Sequence, residues 1–260
     1  MLYKYTHLIK MEPGCYFLGD IGCLNTELEQ IIGVIKSRFR LGEKIFLLGD
    51  NFYNNGVLTV TDPLWDVYKS IFERLKFHNI YSVLGNHDYG DYVNWKFEHE
   101  KKDNFEKLLK IQNEMGFNLL MNENINIKRN QQSISLIGVE NWGKGRFKKK
   151  GDIDKACNGL NENDFKIVMS HDPSHWDEIL KNHETHFHLT LSGHTHGMQF
   201  GIEIPGWIKW SPAKWAYKHW AGLYNENKQF LNVNRGFGVL GFPGRVGIPP
   251  EISVITLKKS

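Results

Sequence analysis

Cysteine is scarce in this 260-residue chain. Only Cys15, Cys23 and Cys157 occur, an odd number without a CxxC pair. A disulfide framework and a thiolate zinc site both need paired cysteines, so the composition favours neither. The few thiols instead indicate a reducing environment.

Long apolar runs are also missing. No segment approaches the roughly 20 apolar residues of a membrane-spanning helix, and residues 1–14 contain no apolar run of signal-peptide length. We therefore expect a protein that is cytoplasmic or peripheral to a membrane.

The net charge of the chain is small. The chain has 32 Lys and Arg against 29 Asp and Glu, a formal net charge of +3, and no nucleic-acid-binding module is recognisable. A nucleic-acid partner is therefore not expected.

With 41% hydrophobic residues the chain can bury one substantial core, so a single domain over residues 1–260 is expected.

Short β-rich apolar runs alternate with longer amphipathic stretches, a pattern typical of α/β proteins. It predicts helices over residues 26–39, where Thr26 and Glu29 form a capping box, and over 63–75 and 105–115. The predicted strands cover residues 15–18, 45–48, 80–84, 134–139, 167–169, 189–191, 230–233 and 252–257.

Five of the first six predicted strands run directly into a polar cluster: GD, GDNFY, GNHD, SHD and SGHTH. Ligands of open α/β sheets bind beyond the carboxyl ends of strands, so these clusters are expected to converge. Their chemically active residues are Asp20, Asp50, Tyr53, Asn86, His87, His171, His194 and His196.

Oxygen donors and imidazoles are mixed in this set. The mixture suits Fe, Mn or Zn better than Ca²⁺, which prefers oxygen alone. Two carboxylates and three imidazoles exceed the needs of one tetrahedral ion. The simplest interpretation is two metal ions that share a bridging carboxylate.

In this order the motifs resemble those of the calcineurin-like metallophosphoesterases: GD, GD, GNH followed by Asp or Glu, a lone His, and GHxH. The resemblance covers about residues 19–197. It implies an α/β fold of four layers, α/β/β/α, with two mixed sheets face to face and helices outside. It also implies hydrolysis of a small phosphate ester, in which a hydroxide held by the ions attacks phosphorus.

The first motif departs from the usual Asp-x-His, because Asp20 is followed by Ile21 and Gly22. The GDNFY motif resembles that of purple acid phosphatases, in which a tyrosine supplies the missing ligand. A phenolate is a hard anionic donor, so Tyr53 would favour Fe(III) beside a divalent Fe, Zn or Mn ion. A tyrosine in this position is also compatible with simple core packing.

The resemblance implies a role for each residue of the centre. Asp20, Tyr53 and His196 would hold the first ion, Asn86, His171 and His194 the second, and Asp50 would bridge them. His87 would be the general acid, since its ordinary pKa of about 6.5 suits proton transfer at neutral pH. Asp88 would orient His87 or the neighbouring loop.

A second resemblance involves GVENWGKGRF, SHDPSHW and the C-terminal stretch NRGFGVLGFPGRVG. These are similar to bacterial metallophosphoesterases that are often membrane-attached and distantly related to enzymes of lipid-linked or nucleotide-sugar diphosphates. Basic residues near glycines suit phosphate binding. The candidates are Lys144, Arg146, Arg235 and Arg245, with His175 as a further pocket residue; Arg235 and Arg245 are also compatible with a purely structural role.

The segment from Ile202 to Tyr224 is rich in tryptophan and lysine, which favour membrane interfaces. Peripheral lipid contact, a lid and ordinary core are all compatible with it. Two alternatives to a general phosphatase remain at this point. One is a phosphodiesterase or pyrophosphatase for a lipid-linked or nucleotide substrate, and the other is a non-catalytic metal-binding scaffold.

Overall fold

The computed structural model of the chain describes residues 15–18, 44–52, 73, 79–129, 132–204, 206–242 and 244–257. The predicted helix over 26–39 lies outside these ranges, and so does the predicted helix over 63–75 except for residue 73. Two predicted metal ligands, Asp20 and Tyr53, also lie outside the described residues.

Two mixed sheets and one separate hairpin contain the described strands. The strands are β1 (Cys15–Leu18), β2 (Lys44–Leu47), β3 (Asn79–Ser82), β4 (Phe117–Leu119), β5 (Glu123–Arg129), β6 (Gln132–Gly138), β7 (Phe165–Met169), β8 (Leu189–Ser192), β9 (Ile202–Ile204), β10 (Ile208–Trp210), β11 (Gly222–Glu226), β12 (Gln229–Val233) and β13 (Ser253–Ile255). The predicted strands are confirmed, with ends that differ by at most two residues.

The first sheet has the order β13-β1-β2-β3-β4, in which β1 to β4 are parallel and β13 is antiparallel to β1. The second has the order β11-β12-β8-β7-β6-β5. Its central strands β6, β7, β8 and β12 are parallel, and β5 and β11 are antiparallel edges.

The main core lies between the two sheets. One buried cluster contains residues from both sides: Phe46, Leu48 and Val83 from the first sheet and the loops that follow its strands, and Ile167 and Leu191 from the second sheet. These positions alternate along their strands with residues that face outward, such as Val168. The two sheets therefore pack face to face.

Helices cover the outer faces. Helix α1 (Glu98–Glu114) packs on the first sheet, where the hydroxyl of Ser82 donates to the Gln112 side chain over 2.9 Å. Helices α2 (Ile153–Ala156) and α3 (Ser174–Glu178) cover the second sheet, and Trp176 is fully buried there. The order of layers is therefore α/β/β/α, as predicted.

Helix α1 begins seven residues before the predicted start at 105. The Glu100 carboxylate accepts the backbone N–H groups of Lys96 and Phe97, both over 3.1 Å, and thereby caps the first turn. No helix in the described ranges is both long and apolar enough to cross a membrane.

Candidate metal centre

Four loops at the carboxyl ends of parallel strands meet at one point. Asp50 follows β2, Asn86 follows β3, His171 follows β7, and His194 follows β8. The ligand atoms of Asp50, His171 and His194 all lie within 4.8 Å of one another. Two of the loops come from the first sheet and two from the second, so the point lies where the sheets meet.

The orientation of His171 fixes which of its nitrogens can bind a metal. The ring is fully buried, and its Nδ1 lies 2.6 Å from the carbonyl oxygen of Leu48. A carbonyl only accepts hydrogen bonds, so Nδ1 carries the proton. Nε2 therefore presents its lone pair to the centre.

Three further donor atoms surround this nitrogen. Nε2 of His171 lies 3.1 Å from Oδ1 of Asn86, 3.0 Å from Nδ1 of His194 and 3.1 Å from Oδ2 of Asp50. The Asn86 amide nitrogen donates to the Tyr92 hydroxyl over 2.8 Å, which directs the amide oxygen toward His171. Lone pairs so close together repel each other unless a cation lies between them, so this donor set fits a metal ion.

His194 is held in the form that binds metals. Its Nε2 lies 2.6 Å from the Tyr217 hydroxyl and 3.5 Å from Oδ2 of Asp172, a buried oxygen without a hydrogen-bond partner in the described structure. The carboxylate favours a proton on Nε2, which leaves the Nδ1 lone pair for the centre. Burial, and next the neighbouring His171, hold the pKa of His194 well below its usual value, so the ring is neutral.

Asp50 connects its own GDNFY motif to the GNHD motif by a hydrogen bond. Its Oδ1 accepts the backbone N–H of His87 over 2.8 Å, while Oδ2 faces His171. Its backbone has a left-handed φ of 47°, after Gly49 with a φ of 97°. A Cβ atom on Gly49 would lie 2.5 Å from the nitrogen of Gly85, so the Gly-Asp sequence permits the two loops to approach.

Asp88 lies behind the ligand loops and is fully buried. Its Oδ2 accepts the backbone N–H groups of Gly85 and Asp50 over 2.8 and 3.0 Å. Burial, and next the charge of Asp50, raise the pKa of Asp88 to about 7. The carboxyl group thus links the two ligand loops through their backbone.

His87 is the neighbour of the ligand candidate Asn86 in the chain. It is half-buried, and its ring lies 4.4 Å from the ring of Tyr92, measured between centroids. Tyr92 in turn bonds the ligand candidate Asn86. This half-buried histidine is therefore placed beside the donor cluster.

His196 lies in the turn that follows His194. Its Nδ1 is 3.2 Å from the carbonyl oxygen of Gly238 and 3.4 Å from the guanidinium of Arg245. Arg245 also donates to the carbonyl groups of Gly238 and Arg235. The predicted co-ligands of His196, Asp20 and Tyr53, are outside the described residues.

The predicted substrate contacts are dispersed. Arg146 lines a cavity of about 420 Å³ that also includes Asn86 and Tyr92. Lys144 forms an exposed ion pair with Glu178 at 3.0 Å. His175 is buried, with its Nδ1 2.8 Å from the hydroxyl of Ser170.

Arg235 is also buried. It bonds Glu251 over 2.6 Å and Glu203 over 2.7 Å.

Three residues near the donor cluster were not predicted from the sequence: Tyr92, Asp172 and Tyr217. Asp172 follows His171 directly, so the SHD motif contained a signal for it, whereas Tyr217 reaches His194 only through the fold.

Comparison with known proteins identifies the family. A family model described as calcineurin-like phosphoesterase matches residues 15–198. YkoQ, an uncharacterized metallophosphoesterase of Bacillus subtilis (strain 168), is 27% identical over 187 residues, which are 72% of this chain and 63% of YkoQ. YkuE, another uncharacterized metallophosphoesterase of the same organism, is 35% identical over 109 residues, 42% of this chain and 36% of YkuE.

This chain therefore spans only part of the length of these relatives. Among solved structures, a 5'-nucleotidase precursor from Thermus thermophilus superposes with a TM-score of 0.51 at 11% identity, covering 86% of this chain and 49% of that one. At this identity the likeness concerns the fold alone. The family model matches well over half of the sequence, so the chain belongs to the calcineurin-like phosphoesterases. These are metal-dependent hydrolases, and membership of the family implies a centre of two metal ions.

Proposed function

We propose that this protein hydrolyses phosphate esters at two metal ions. The observation that carries the proposal is the group of four lone-pair donors from Asp50, Asn86, His171 and His194. These would hold the second ion, with Asp50 shared between the two. The chemistry that such ions supply is activation of water near neutral pH and neutralisation of phosphoryl charge.

The test is hydrolysis of a chromogenic phosphate monoester by protein loaded with Mn²⁺, Zn²⁺ or Fe. Asn86→Ala and His171→Ala should each lower kcat/KM by about 100-fold or more, because each removes a donor from the centre. His183→Ala is the matched control, since that histidine pairs with Asp154 at 3.0 Å and is not in the donor group. Equal losses in all three variants would contradict the proposed centre.

His87 is proposed as the general acid that protonates the leaving oxygen. Its half-buried position, beside Tyr92 and on the same loop as Asn86, supports this role. His87→Asn should slow an ester with an alkoxide leaving group by about 100-fold, but slow a nitrophenyl ester much less, because nitrophenolate leaves without a proton. An equal loss for both esters would instead indicate a role in binding.

For the first ion we propose Asp20, Tyr53 and His196 as ligands, with Fe(III) bound there and a divalent Fe, Zn or Mn ion at the second position. Two features support this assignment. Gly22 stands where the family usually has a histidine ligand, and the phenolate of Tyr53 is a hard donor that could replace it. Elemental analysis and visible absorption of wild type and Tyr53→Phe test this. A charge-transfer band that disappears in the variant supports the assignment, while a colourless active Mn or Zn enzyme contradicts it.

A phosphodiesterase or pyrophosphatase acting on a lipid-linked or nucleotide substrate is the second candidate. Exposed apolar side chains that follow the His196 turn, beginning with Met198 and Phe200, favour an amphiphilic substrate. Faster hydrolysis of a chromogenic bis-ester than of the monoester would favour this candidate. Metal-loaded protein that hydrolyses neither compound would favour a non-catalytic scaffold.

A further inference from the structure

The β9–β10 hairpin has its polar face turned inward. Glu203 and Lys209 are directly opposite each other in the pairing register. Glu203 bonds the buried Arg235, and the Lys209 ammonium donates to the carbonyl of Ala221 beside the ring of Trp220. Both charged side chains therefore face the body of the protein.

The opposite face of the hairpin is apolar and faces solvent. Ile204 pairs with Ile208, and Ile202 pairs with Trp210, so these four side chains share one face. The three isoleucines are exposed, and Trp207 at the connecting turn is 87% exposed. A surface hairpin normally has the reverse arrangement, with apolar residues inward and polar residues outward.

A neighbouring loop extends this face. The Gln199 side chain donates to the carbonyls of Phe242 and Gly244 and accepts the N–H of Leu240. Phe200 forms a bridge with Val246. These bonds hold the loop against the hairpin in a defined position.

Aromatic contacts continue the surface further along the chain. The ring of Trp210 lies 6.4 Å from that of Phe200 and 6.1 Å from that of Trp215, which is 74% exposed. Ten of the twelve large hydrophobic side chains that are exposed in the described ranges belong to this region. We call it the hairpin patch; it consists of Met198, Phe200, Ile202, Ile204, Trp207, Ile208, Trp215, Leu240, Phe242 and Val246.

The segments that form the patch contain little acidic charge. Glu203 is the only acidic residue in segments 198–218 and 236–250, and its carboxylate lies 2.7 Å from the guanidinium of Arg235, which also pairs with Glu251. The same segments carry the exposed Lys214 and also Lys218, whose ammonium lies 3.6 Å from the Glu226 carboxylate and 3.8 Å from that of Asp177. An apolar surface with protruding tryptophans, the exposed Lys214 and a single acidic residue in its own segments matches the acyl boundary and headgroups of a membrane that contains anionic lipids.

We propose that the hairpin patch docks on a membrane surface that carries anionic lipids. The contact would insert Trp207 and its neighbours at the level of the headgroups. Because residues 196–199 connect the patch to His194 and His196, docking would place the metal centre near that surface. Such docking does not depend on which phosphoester the protein hydrolyses.

Co-sedimentation of the full chain with vesicles tests this. The vesicles consist of phosphatidylcholine, with or without about one third phosphatidylglycerol. We expect binding to the anionic vesicles, weakened by salt, and at least about tenfold weaker binding for the Trp207→Ser/Trp215→Ser double variant. Phe97→Ser is the matched control, because Phe97 is a 50% exposed aromatic residue outside the patch and its replacement should leave binding unchanged.

Circular dichroism and the Tm of each variant establish that it is folded. Failure of the wild type to bind anionic vesicles would overturn the proposal, as would undiminished binding by the folded double variant. A dimer of the wild type in analytical ultracentrifugation that the double variant cannot form, without vesicle binding, would assign the patch to a second copy of the chain instead.

Discussion

The hydroxyl of Tyr217 lies 2.6 Å from Nε2 of His194, on the side of the ring opposite to the donor cluster. Burial is the main reason that the pKa of this hydroxyl is raised, so it stays protonated at neutral pH. The tyrosine thus positions a ligand candidate from a distant part of the sequence. Groups that orient a metal-binding histidine commonly affect the affinity for the metal by ten- to a hundredfold.

Tyr217→Phe should therefore weaken metal binding by about tenfold while leaving the fold intact. Competition with a chromogenic chelator measures the affinity. Tyr224→Phe is the matched control, because its hydroxyl accepts backbone N–H groups of Trp220 and Ala221 rather than a histidine. Equal affinities of the two variants would contradict a positioning role for Tyr217.

Gly85→Ala should abolish metal binding. The new Cβ would lie 2.7 Å from Cε1 of His171 and would also collide with the carboxylate of Asp50. Isothermal titration with Mn²⁺ measures the effect. Gly159→Ala, at a φ of 74° with open space around it, should cost about 1 kcal/mol of stability yet leave binding unchanged; loss of binding in that variant too would contradict the steric explanation.

Arg146→Ala should lower kcat/KM by about ten- to a hundredfold, because Arg146 lines the cavity beside Asn86 and we expect its guanidinium to bind phosphate oxygens there. Lys144→Ala should change kcat/KM by less than about twofold, since its ammonium is paired with Glu178 at the surface. Steady-state kinetics of both variants with one substrate decides this. A larger loss of kcat/KM in Lys144→Ala than in Arg146→Ala would identify Lys144 as the substrate contact instead.

Acid stability should depend on Asp164, which directly precedes β7 and so lies at the opposite end of that strand from His171. Hydrogen bonds from Ser133, and also from Ser135 and Asn126, lower the pKa of this carboxyl group. The folded state therefore binds fewer protons than the unfolded state just below pH 4, so this stabilisation is lost as the pH falls through the lowered pKa.

Urea unfolding of wild type and Asp164→Asn at pH 7 and pH 3 measures this dependence. The wild type should lose more of its free energy of unfolding over that interval than the variant, which has no carboxylate to protonate. An identical loss in both proteins would contradict the assignment.

Much of the fold follows from short apolar runs. Residues 45–48, 80–84 and 167–169 are buried strand sequences that end in polar motifs, and local pattern suffices to locate them. The start of α1 does not follow from apolar spacing, because residues 98–104 are almost entirely polar and the helix there depends on the Glu100 cap.

The candidate site divides in a similar way. Asp50, Asn86, His171 and His194 were predictable because each follows a strand that its own sequence identifies. Tyr217 was not, because its approach to His194 depends on how a distant loop packs. The inverted faces of the β9–β10 hairpin were likewise hidden, since alternation of Ile202, Glu203 and Ile204 does not reveal which side faces the protein.

The hydrogen bond between Leu48 and His171 joins residues 123 positions apart in the chain and belonging to different sheets. An ion held by Asp50 and Asn86 from one sheet and by His171 and His194 from the other would act as a cross-link between the two halves of the sandwich. Such a link closes a long loop in the unfolded chain, where closure has its largest entropic effect. Metal supply would then govern how firmly the two sheets are joined at this edge, and with it the mechanical integrity of the whole domain.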